Sequence, residues 1–148
     1  MVTIETDPST AMESVVNTLS NQFILIDDDP INNIISKITI ELVLGDANIQ
    51  SFTSASQGLE HIRSSSQNYS KKTVLLLDLN MPILNGWEFL DRFDSLPNPL
   101  KNSFQIYILS SSVDDRDRER SYANKNVVDF LVKPLTKDAV ASILNSMH

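Results

Sequence analysis

Three continuous apolar runs of four residues each constrain the fold of this chain more than any other feature. They are Phe23–Ile26, Val74–Leu77 and Ile106–Leu109. Runs this short and entirely apolar are typical of β-strands that are buried on both faces of a parallel sheet. Two weaker runs, residues 49–52 and 127–132, are predicted to form the edge strands of the same sheet.

Patterns typical of amphipathic helices lie between these runs. Asp29 is suited to the N-cap of the first helix, Pro30 to its first position, and Gly45 to its end. The apolar stripe on one face of this helix consists of Ile31, Ile34, Ile35, Ile38 and Leu42. Further helices are predicted over residues 55–66, 86–93 and 115–124, and from the cap at 136 through 144.

Five strands that alternate with five helices predict an α/β fold. Because strand-helix-strand connections are right-handed, the helices cover both faces of a parallel sheet. Five strand-helix units of this length predict a flavodoxin-like, doubly wound, five-stranded sheet with the strand order 2-1-3-4-5. Residues 64–66, 68–72 and 95–103 are predicted to be connecting loops.

The composition excludes several classes of protein. A chain of 148 residues fits one domain, and the absence of cysteine removes disulfides, thiol chemistry and thiolate zinc sites. Two histidines are too few for a multi-histidine metal site, and a net charge of −7 argues against nucleic acid as a partner. Because no segment has the length of a membrane span or the character of a secretion signal, we expect a cytoplasmic protein without membrane contacts.

The first twenty residues differ in composition from the rest of the chain. Polar residues dominate this segment, while Met12, Val15, Val16 and Leu19 recur at helical spacing. We interpret residues 1–20 as a leader, either mobile or a short helix, and residues 21–148 as the folded domain.

Charged or hydroxyl-bearing residues stand directly after four of the predicted strands. Asp27 and Asp28 follow the first strand, Asp78 the third, Ser110 ends the fourth and Lys133 follows the fifth. In an open α/β sheet, ligands bind outside the carboxyl ends of the strands, where the strand order reverses. We therefore expect three carboxylates, a hydroxyl and an ammonium to converge there.

Three neighbouring carboxylates require a cation. At an effective dielectric constant near 20, two unit charges about 4 Å apart repel by roughly 4 kcal/mol. Lys133 supplies one positive charge, and hard oxygen ligands without sulfur or imidazole favour Mg²⁺, or Mn²⁺, as the cofactor. Asp29 is assigned instead to its own helix, as the N-cap.

Asp78 is the candidate nucleophile, because it follows the predicted central strand and no helix begins directly after it. A carboxylate can accept a phosphoryl group as an acyl phosphate. Transfer of this group depends mainly on neutralising charge around the phosphoryl oxygens. Lys133, Ser110 and the metal ion could each contact one of these oxygens.

Four motifs, in order and at the expected separations, resemble the receiver domain of two-component response regulators. They are Ile26-Asp27-Asp28, Leu77 to Pro82 with Asn85-Gly86, Ile108 to Ser111, and Val132-Lys133-Pro134. The resemblance extends from about residue 22 to 146 and is to single-domain regulators of the chemotaxis type.

The resemblance implies a role for each residue of the predicted site. Asp78 is the expected phospho-acceptor, and Asp27 and Asp28 are the acidic pair that holds Mg²⁺ together with Asp78. The backbone carbonyl of Asn80 is expected to be a further metal ligand. Lys133 is expected to contact the phosphoryl group.

The resemblance also implies a conformational switch. Ser110 is the expected switch hydroxyl and Phe130 the aromatic residue that follows its movement, while the bond between Lys133 and Pro134 is expected to be cis. Ser110 stands where many members have threonine, and Ser111 where alanine is common.

A signalling role follows from the same resemblance. The expected phosphodonor is a sensor histidine kinase or a histidine phosphotransfer protein, and the output passes through contacts with an unknown target protein or along a phosphorelay. The chain is expected to catalyse only its own phosphorylation and dephosphorylation, and not to be a metabolic enzyme.

Two other families are alternatives, one because it uses similar residues and one because it has a similar fold. A small Mg²⁺-dependent phosphatase resembling the haloacid dehalogenase group has a second aspartate two residues after its nucleophile, where this chain has Asn80. A flavodoxin-like FMN binder needs a phosphate-binding loop after the first strand, and the aspartates at 27–29 would repel a phosphate there.

Overall fold

A five-stranded parallel sheet forms the centre of the molecule. The computed structural model describes residues 22–65, 72–112 and 114–147. Its elements are β1 (Gln22–Ile26), α1 (Pro30–Leu44), β2 (Asn48–Phe52), α2 (Ala55–Ser64), β3 (Thr73–Leu77), α3 (Gly86–Asp94), α4 (Asn98–Lys101), β4 (Phe104–Ser110), α5 (Asp115–Ala123), β5 (Val127–Val132) and α6 (Lys137–Asn145). The strand order is β2-β1-β3-β4-β5, which confirms the predicted sheet.

The helices depart from the prediction in two places. The described residues contain six helices rather than five, because α4 forms within the segment predicted to be a loop. Pro99 stands in the first turn of this four-residue helix and Leu100 is buried, so a fixed φ and one apolar contact stabilise it. In addition, α2 ends at Ser64, two residues before the predicted end. The predicted leader lies outside the described residues.

The three central strands, β1, β3 and β4, are buried on both faces, so the sheet separates two apolar clusters. Alternate strand residues point to opposite sides, as the two-residue period of a strand requires. One cluster joins Ile24, Leu75, Leu77, Ile106, Ile108 and Phe130 to α2 and α3. The other joins Phe23, Leu25, Val74, Leu76, Tyr107 and Leu109 to α1 and α6. This arrangement leaves the carboxyl ends of the strands free of covering helices.

The apolar stripe of α1 is not the face that this helix buries. An apolar stripe of this kind usually faces a core, but Ile31, Ile34, Ile35, Ile38 and Leu42 are between 41% and 68% exposed. The buried residues of α1 are instead Asn33, Ser36 and Ile40. Within the described ranges no helix, including the 15-residue α1, has the length and apolar character needed to cross a membrane.

Candidate functional site

Three aspartates meet at the carboxyl edge of the sheet. The Asp27 amide donates to the Phe52 carbonyl at 3.1 Å, and the Asp78 amide donates to the Ile26 carbonyl at 2.9 Å. These bonds continue the sheet ladder by one residue and so fix both backbones. Carboxylate oxygens of Asp27, Asp28 and Asp78 lie within 4.8 Å of one another. Asp27 and Asp78 are buried, whereas Asp28 is exposed and opens the cluster to solvent.

Lys133 reaches this cluster from the end of β5. Its Nζ lies 2.6 Å from Asp27 Oδ2 and 3.5 Å from Asp78 Oδ1. The Lys133 amide donates to the Ser110 carbonyl at 2.9 Å, which joins the ends of β4 and β5. The bond between Lys133 and Pro134 is cis, as expected. The structure therefore brings the predicted ammonium into contact with two of the predicted carboxylates.

The electrostatics of the cluster favour protonation of Asp78. Burial and the neighbouring charge of Asp27 raise the pKa of Asp78 to about 6, against the opposing attraction of Lys133. Burial disfavours the charged form of Lys133, but its hydrogen bond to Asp27 and the attraction of both carboxylates raise its pKa above the ordinary value. Lys133 is therefore charged at neutral pH. The repulsion between the neighbouring carboxylates contributes to the raised pKa of Asp78.

Ser110 lies at the end of β4 with its hydroxyl bonded to its own loop. The Ser112 amide donates to Ser110 Oγ at 3.0 Å. The Ser112 hydroxyl in turn donates to Asp117 Oδ2 at 3.1 Å and accepts from the Asp114 amide at 3.1 Å. Ser110 is fully buried and is connected through Ser112 to the first turn of α5.

Two arginines of α5 cover aromatic rings. The guanidinium carbon of Arg118 lies 5.0 Å from the centre of the Phe130 ring, and that of Arg120 lies 4.2 Å from the centre of the Trp87 ring. Both distances suit cation–π attraction. The spacing of residues along α5 does not predict these two arginine contacts, because they depend on where β5 and α3 pack.

A family model described as the response regulator receiver domain matches residues 23–145. The chain belongs to the response regulator receiver family. Receiver domains are the phosphorylation-dependent switches of two-component signalling. The match favours this family over the phosphatase and the FMN binder. No curated protein matches the chain significantly.

Solved structures of other receivers share the fold. A response regulator receiver protein from Dyadobacter fermentans is 28% identical, with a TM-score of 0.77 over 85% of this chain and 96% of that chain. A two-component response regulator from Cytophaga hutchinsonii is 32% identical, with a TM-score of 0.75 over 85% of this chain and 95% of that chain. The chemotaxis response regulator CheY4 of Vibrio cholerae, 16% identical with a TM-score of 0.68 over 87% and 99% of the two chains, shows the same fold.

The acidic cluster of this receiver fits a divalent cation. Its donors are hard carboxylate oxygens, which Mg²⁺ prefers, and their spacing allows one ion to contact all three. Asp27, Asp28 and Asp78 would hold the ion, which would neutralise charge at the site. The Asn80 amide donates to Asp78 Oδ1 at 3.4 Å, and the role of the Asn80 carbonyl as a ligand stays a prediction.

Asn33 and Gly86 support the site, and sequence reasoning assigned neither of them this role. Asn33 Nδ2 donates to the carbonyls of Asp27 and Phe52 at 3.1 and 3.3 Å, which ties α1 to the ends of β1 and β2. A Cβ atom on Gly86 would lie 2.6 Å from the Asp78 carbonyl oxygen, so this position requires glycine. Gly86 belongs to the Asn85-Gly86 motif, but the close approach that explains it appears only in the fold.

The loop after Asp78 contains a strained residue. Ile83 has a φ of 70° and is fully exposed, and the Leu84 amide donates to the Pro82 carbonyl across it at 2.7 Å. A β-branched residue in this region of φ is unfavourable, and such strain is common near functional sites. The sequence gives no signal for it, because glycine or asparagine is the usual residue at positive φ.

Proposed function

We propose that this receiver accepts a phosphoryl group on Asp78 from a sensor histidine kinase or a histidine phosphotransfer protein and signals through protein contacts. The observation that carries the proposal is the position of Lys133 Nζ, 3.5 Å from Asp78 and 2.6 Å from Asp27. A preorganised ammonium beside a carboxylate suits a reaction that places more negative charge on that carboxylate.

In the proposed step, a carboxylate oxygen of Asp78 forms a bond to phosphorus while the bond from phosphorus to the donor imidazole nitrogen breaks. The electron pair of the broken bond stays on the imidazole, which takes up a proton. Lys133 offsets the charge of the transferred group. Mg²⁺, when bound to the three aspartates, supplies further charge neutralisation for the phosphoryl oxygens. The attacking carboxylate must be ionised, which burial and Asp27 oppose by raising the pKa of Asp78.

The output begins at Ser110. Its hydroxyl accepts a hydrogen bond from Ser112, and we propose that the phosphoryl group draws this hydroxyl away from that amide. Because Ser112 also contacts Asp117, the movement would reach α5, whose Arg118 covers the ring of Phe130. Ser110 and Phe130 thus act as the proposed switch residues, and the target reads the altered surface of α5 and β5.

The experiment that tests the acceptor is intact-mass measurement after incubation with a small phosphodonor. We expect one added phosphoryl group in the presence of Mg²⁺, none with a chelator, and none in Asp78→Asn. Asp91→Asn, an exposed aspartate on α3, is the matched control and should be labelled like the wild type. Equal labelling of Asp78→Asn and the wild type would show that the acceptor is another residue.

The same samples distinguish a switch from a hydrolytic enzyme. A receiver takes up one phosphoryl group and does not turn over phosphomonoesters. Sustained release of phosphate from such substrates, abolished by Asp78→Asn, would favour the phosphatase alternative.

A further inference from the structure

One side of α1 is both apolar and exposed. We call Ile31, Ile34, Ile35, Ile38 and Leu42 the isoleucine face. Each of the five is between 41% and 68% exposed. The buried residues of α1 lie on the opposite side of the helix, so this face points away from the sheet. A contiguous apolar patch of this kind on a folded domain marks a surface that binds something.

The size of the isoleucine face suits a contact between two copies of the chain. From their exposed fractions, the five residues present roughly 500 Å² of surface in one copy. Two such faces in contact would bury about 1,000 Å², which is the lower end of the range for specific interfaces. Because α1 has 15 residues and is about 22 Å long, two copies of this helix can cover each other's faces along most of their length.

Charged residues stand along one border of the isoleucine face. Lys37 and Glu41 are exposed and four residues apart, so they lie one above the other on the helix surface. Within the described part of the chain, neither of them forms an ion pair. The other border carries the uncharged residues Asn32 and Thr39. The face therefore has one cation and one anion along one border only.

The symmetry of a dimer decides how these charges meet. When two identical helices pack antiparallel about a two-fold axis, the same border of each helix lies on the same side of the contact, in opposite directions. Lys37 of one copy then lies beside Glu41 of the other, and the reciprocal pair forms as well, with the axis near Ile38. In a parallel pair, the charged border of each copy would meet the uncharged border of the other. Charges beside an apolar helix contact select partner and orientation in this way.

We propose that the isoleucine face is a dimerisation surface that takes a second copy of this chain, with the two α1 helices antiparallel and Lys37 paired with Glu41 across the contact. A second copy fits because the face is complementary to itself in both apolar character and charge. Since α1 begins beside the acidic cluster, the two clusters would lie at opposite ends of the helix pair. This dimer goes beyond the proposed function and does not depend on it.

Charge reversal in the full chain tests the pairing, with sedimentation velocity at low salt as the measurement. We expect the wild type to change from monomer to dimer between about 1 and 100 μM. Lys37→Glu and Glu41→Lys each bring like charges together twice, so each variant alone should dimerise on the order of tenfold more weakly. An equimolar mixture of the two variants should recover the dimer, because both pairs between unlike copies again join opposite charges.

Ile38→Asp tests the apolar part of the contact, and Ile83→Asp is its matched control. Ile83 is also an exposed isoleucine but lies outside α1. Ile38→Asp should stay monomeric over the same concentrations, whereas Ile83→Asp should dimerise like the wild type. All four substituted positions are exposed, and a far-ultraviolet circular dichroism spectrum checks that each variant is folded.

The other possible outcomes contradict the proposal. A wild type that is monomeric at every concentration would leave the face to another segment of the chain or to another protein. A dimer that survives Ile38→Asp would have its contact elsewhere on the molecule. A mixture of the charge-reversed variants that stays monomeric would exclude the antiparallel pairing. Because none of these measurements involves phosphorylation, they remain valid if the proposed function fails.

Discussion

The Ser112 amide donates a 3.0 Å hydrogen bond to the Ser110 hydroxyl, and this bond restrains the Ser110 side chain at the end of β4. The hydroxyl that the resemblance assigns to the phosphoryl group is therefore already engaged in the unphosphorylated chain. The bond from Ser112 uses a lone pair of the Ser110 hydroxyl, whose proton is still available to a phosphoryl oxygen. A movement of this hydroxyl towards a phosphoryl group would lengthen the bond from Ser112, and because Ser112 also contacts the first turn of α5, the movement would connect the site to that helix.

Ser110→Ala should uncouple phosphorylation from movement of α5. Trp87, the single tryptophan, is stacked under Arg120 of α5, so its fluorescence reports that movement. We expect a fluorescence change when a small phosphodonor and Mg²⁺ are added to the wild type. Ser110→Ala should lose most of this change while still being phosphorylated, and Ser110→Thr should retain it. A full response in Ser110→Ala would contradict the proposed switch.

Asp78→Asn should stabilise the metal-free protein in a pH-dependent way. The folded-state pKa of Asp78, about 6, lies above its ordinary value of 3.8, so the folded state holds this proton more tightly than the unfolded state. The contribution of Asp78 is thus most favourable below pH 3.8 and is lost as the pH rises to about 6. A shift of roughly two pKa units corresponds to about 3 kcal/mol.

Urea unfolding in the presence of a chelator measures this effect. The difference in free energy of unfolding between Asp78→Asn and the wild type should grow between pH 4 and about pH 7, to about 3 kcal/mol. Mg²⁺ should reduce the difference at neutral pH, because it stabilises only the protein that keeps all three carboxylates. A difference that does not vary with pH would show that Asp78 is not the source.

Lys133→Met should destabilise the metal-free protein strongly. The Lys133 and Asp27 side chains are 15% and 7% exposed, so the variant leaves two buried carboxylates without their counter-charge. Removing one partner of a buried ion pair costs about 3–5 kcal/mol. Mg²⁺ should restore more stability to this variant than to the wild type, as measured by the shift in melting temperature.

Lys125→Met is the matched control for this prediction. Lys125 pairs with Asp94 at 3.5 Å, but the two side chains are 74% and 44% exposed. An exposed pair contributes about 0–1 kcal/mol. Comparable losses in the two variants would show that the position of Lys133 at the site has no special importance.

Gly86→Ala should weaken both stability and Mg²⁺ binding. The added methyl group would lie 2.6 Å from the Asp78 carbonyl oxygen and 2.8 Å from the Leu79 Cα, so the backbone at Asp78 and Leu79 must shift. Overpacking of this kind costs about 1–3 kcal/mol. Gly45→Ala, at a φ of 73° with open space around it, loses about 1–2 kcal/mol through backbone strain alone. Calorimetry should show weaker Mg²⁺ binding in Gly86→Ala only.

The convergence of the site could be predicted because it is a property of the sheet. Once Asp27, Asp78 and Lys133 are each placed directly after a parallel strand, they share one edge. No comparable rule predicts the direction in which a side chain of a loop points. The bond between Ser110 and Ser112 depends on the torsion angles of the segment that follows β4, which no motif determines.

The orientation of α1 shows the same limit. Periodicity identifies a stripe on a helix but not what that stripe faces. The buried position of Asn33 depends on two carbonyls, of Asp27 and Phe52, that become neighbours only after β1 and β2 have paired. In the same way, Arg118 contacts the ring of Phe130 only when α5 packs on β5. Tertiary contacts of this kind cannot be deduced from local sequence.

The hydrogen bonds of Asn33 give the site one rigid side and one compliant side. The Asp27 and Phe52 carbonyls, at the ends of β1 and β2, both accept from the Asn33 side chain, whereas the Ser110 hydroxyl accepts from a single amide. Under the proposed switch, an added negative charge would therefore displace the β4 side and leave the β1 side in place. Since α1 and α5 lie on opposite faces of the sheet, a protein that contacts α5 would leave the exposed apolar residues of α1 accessible.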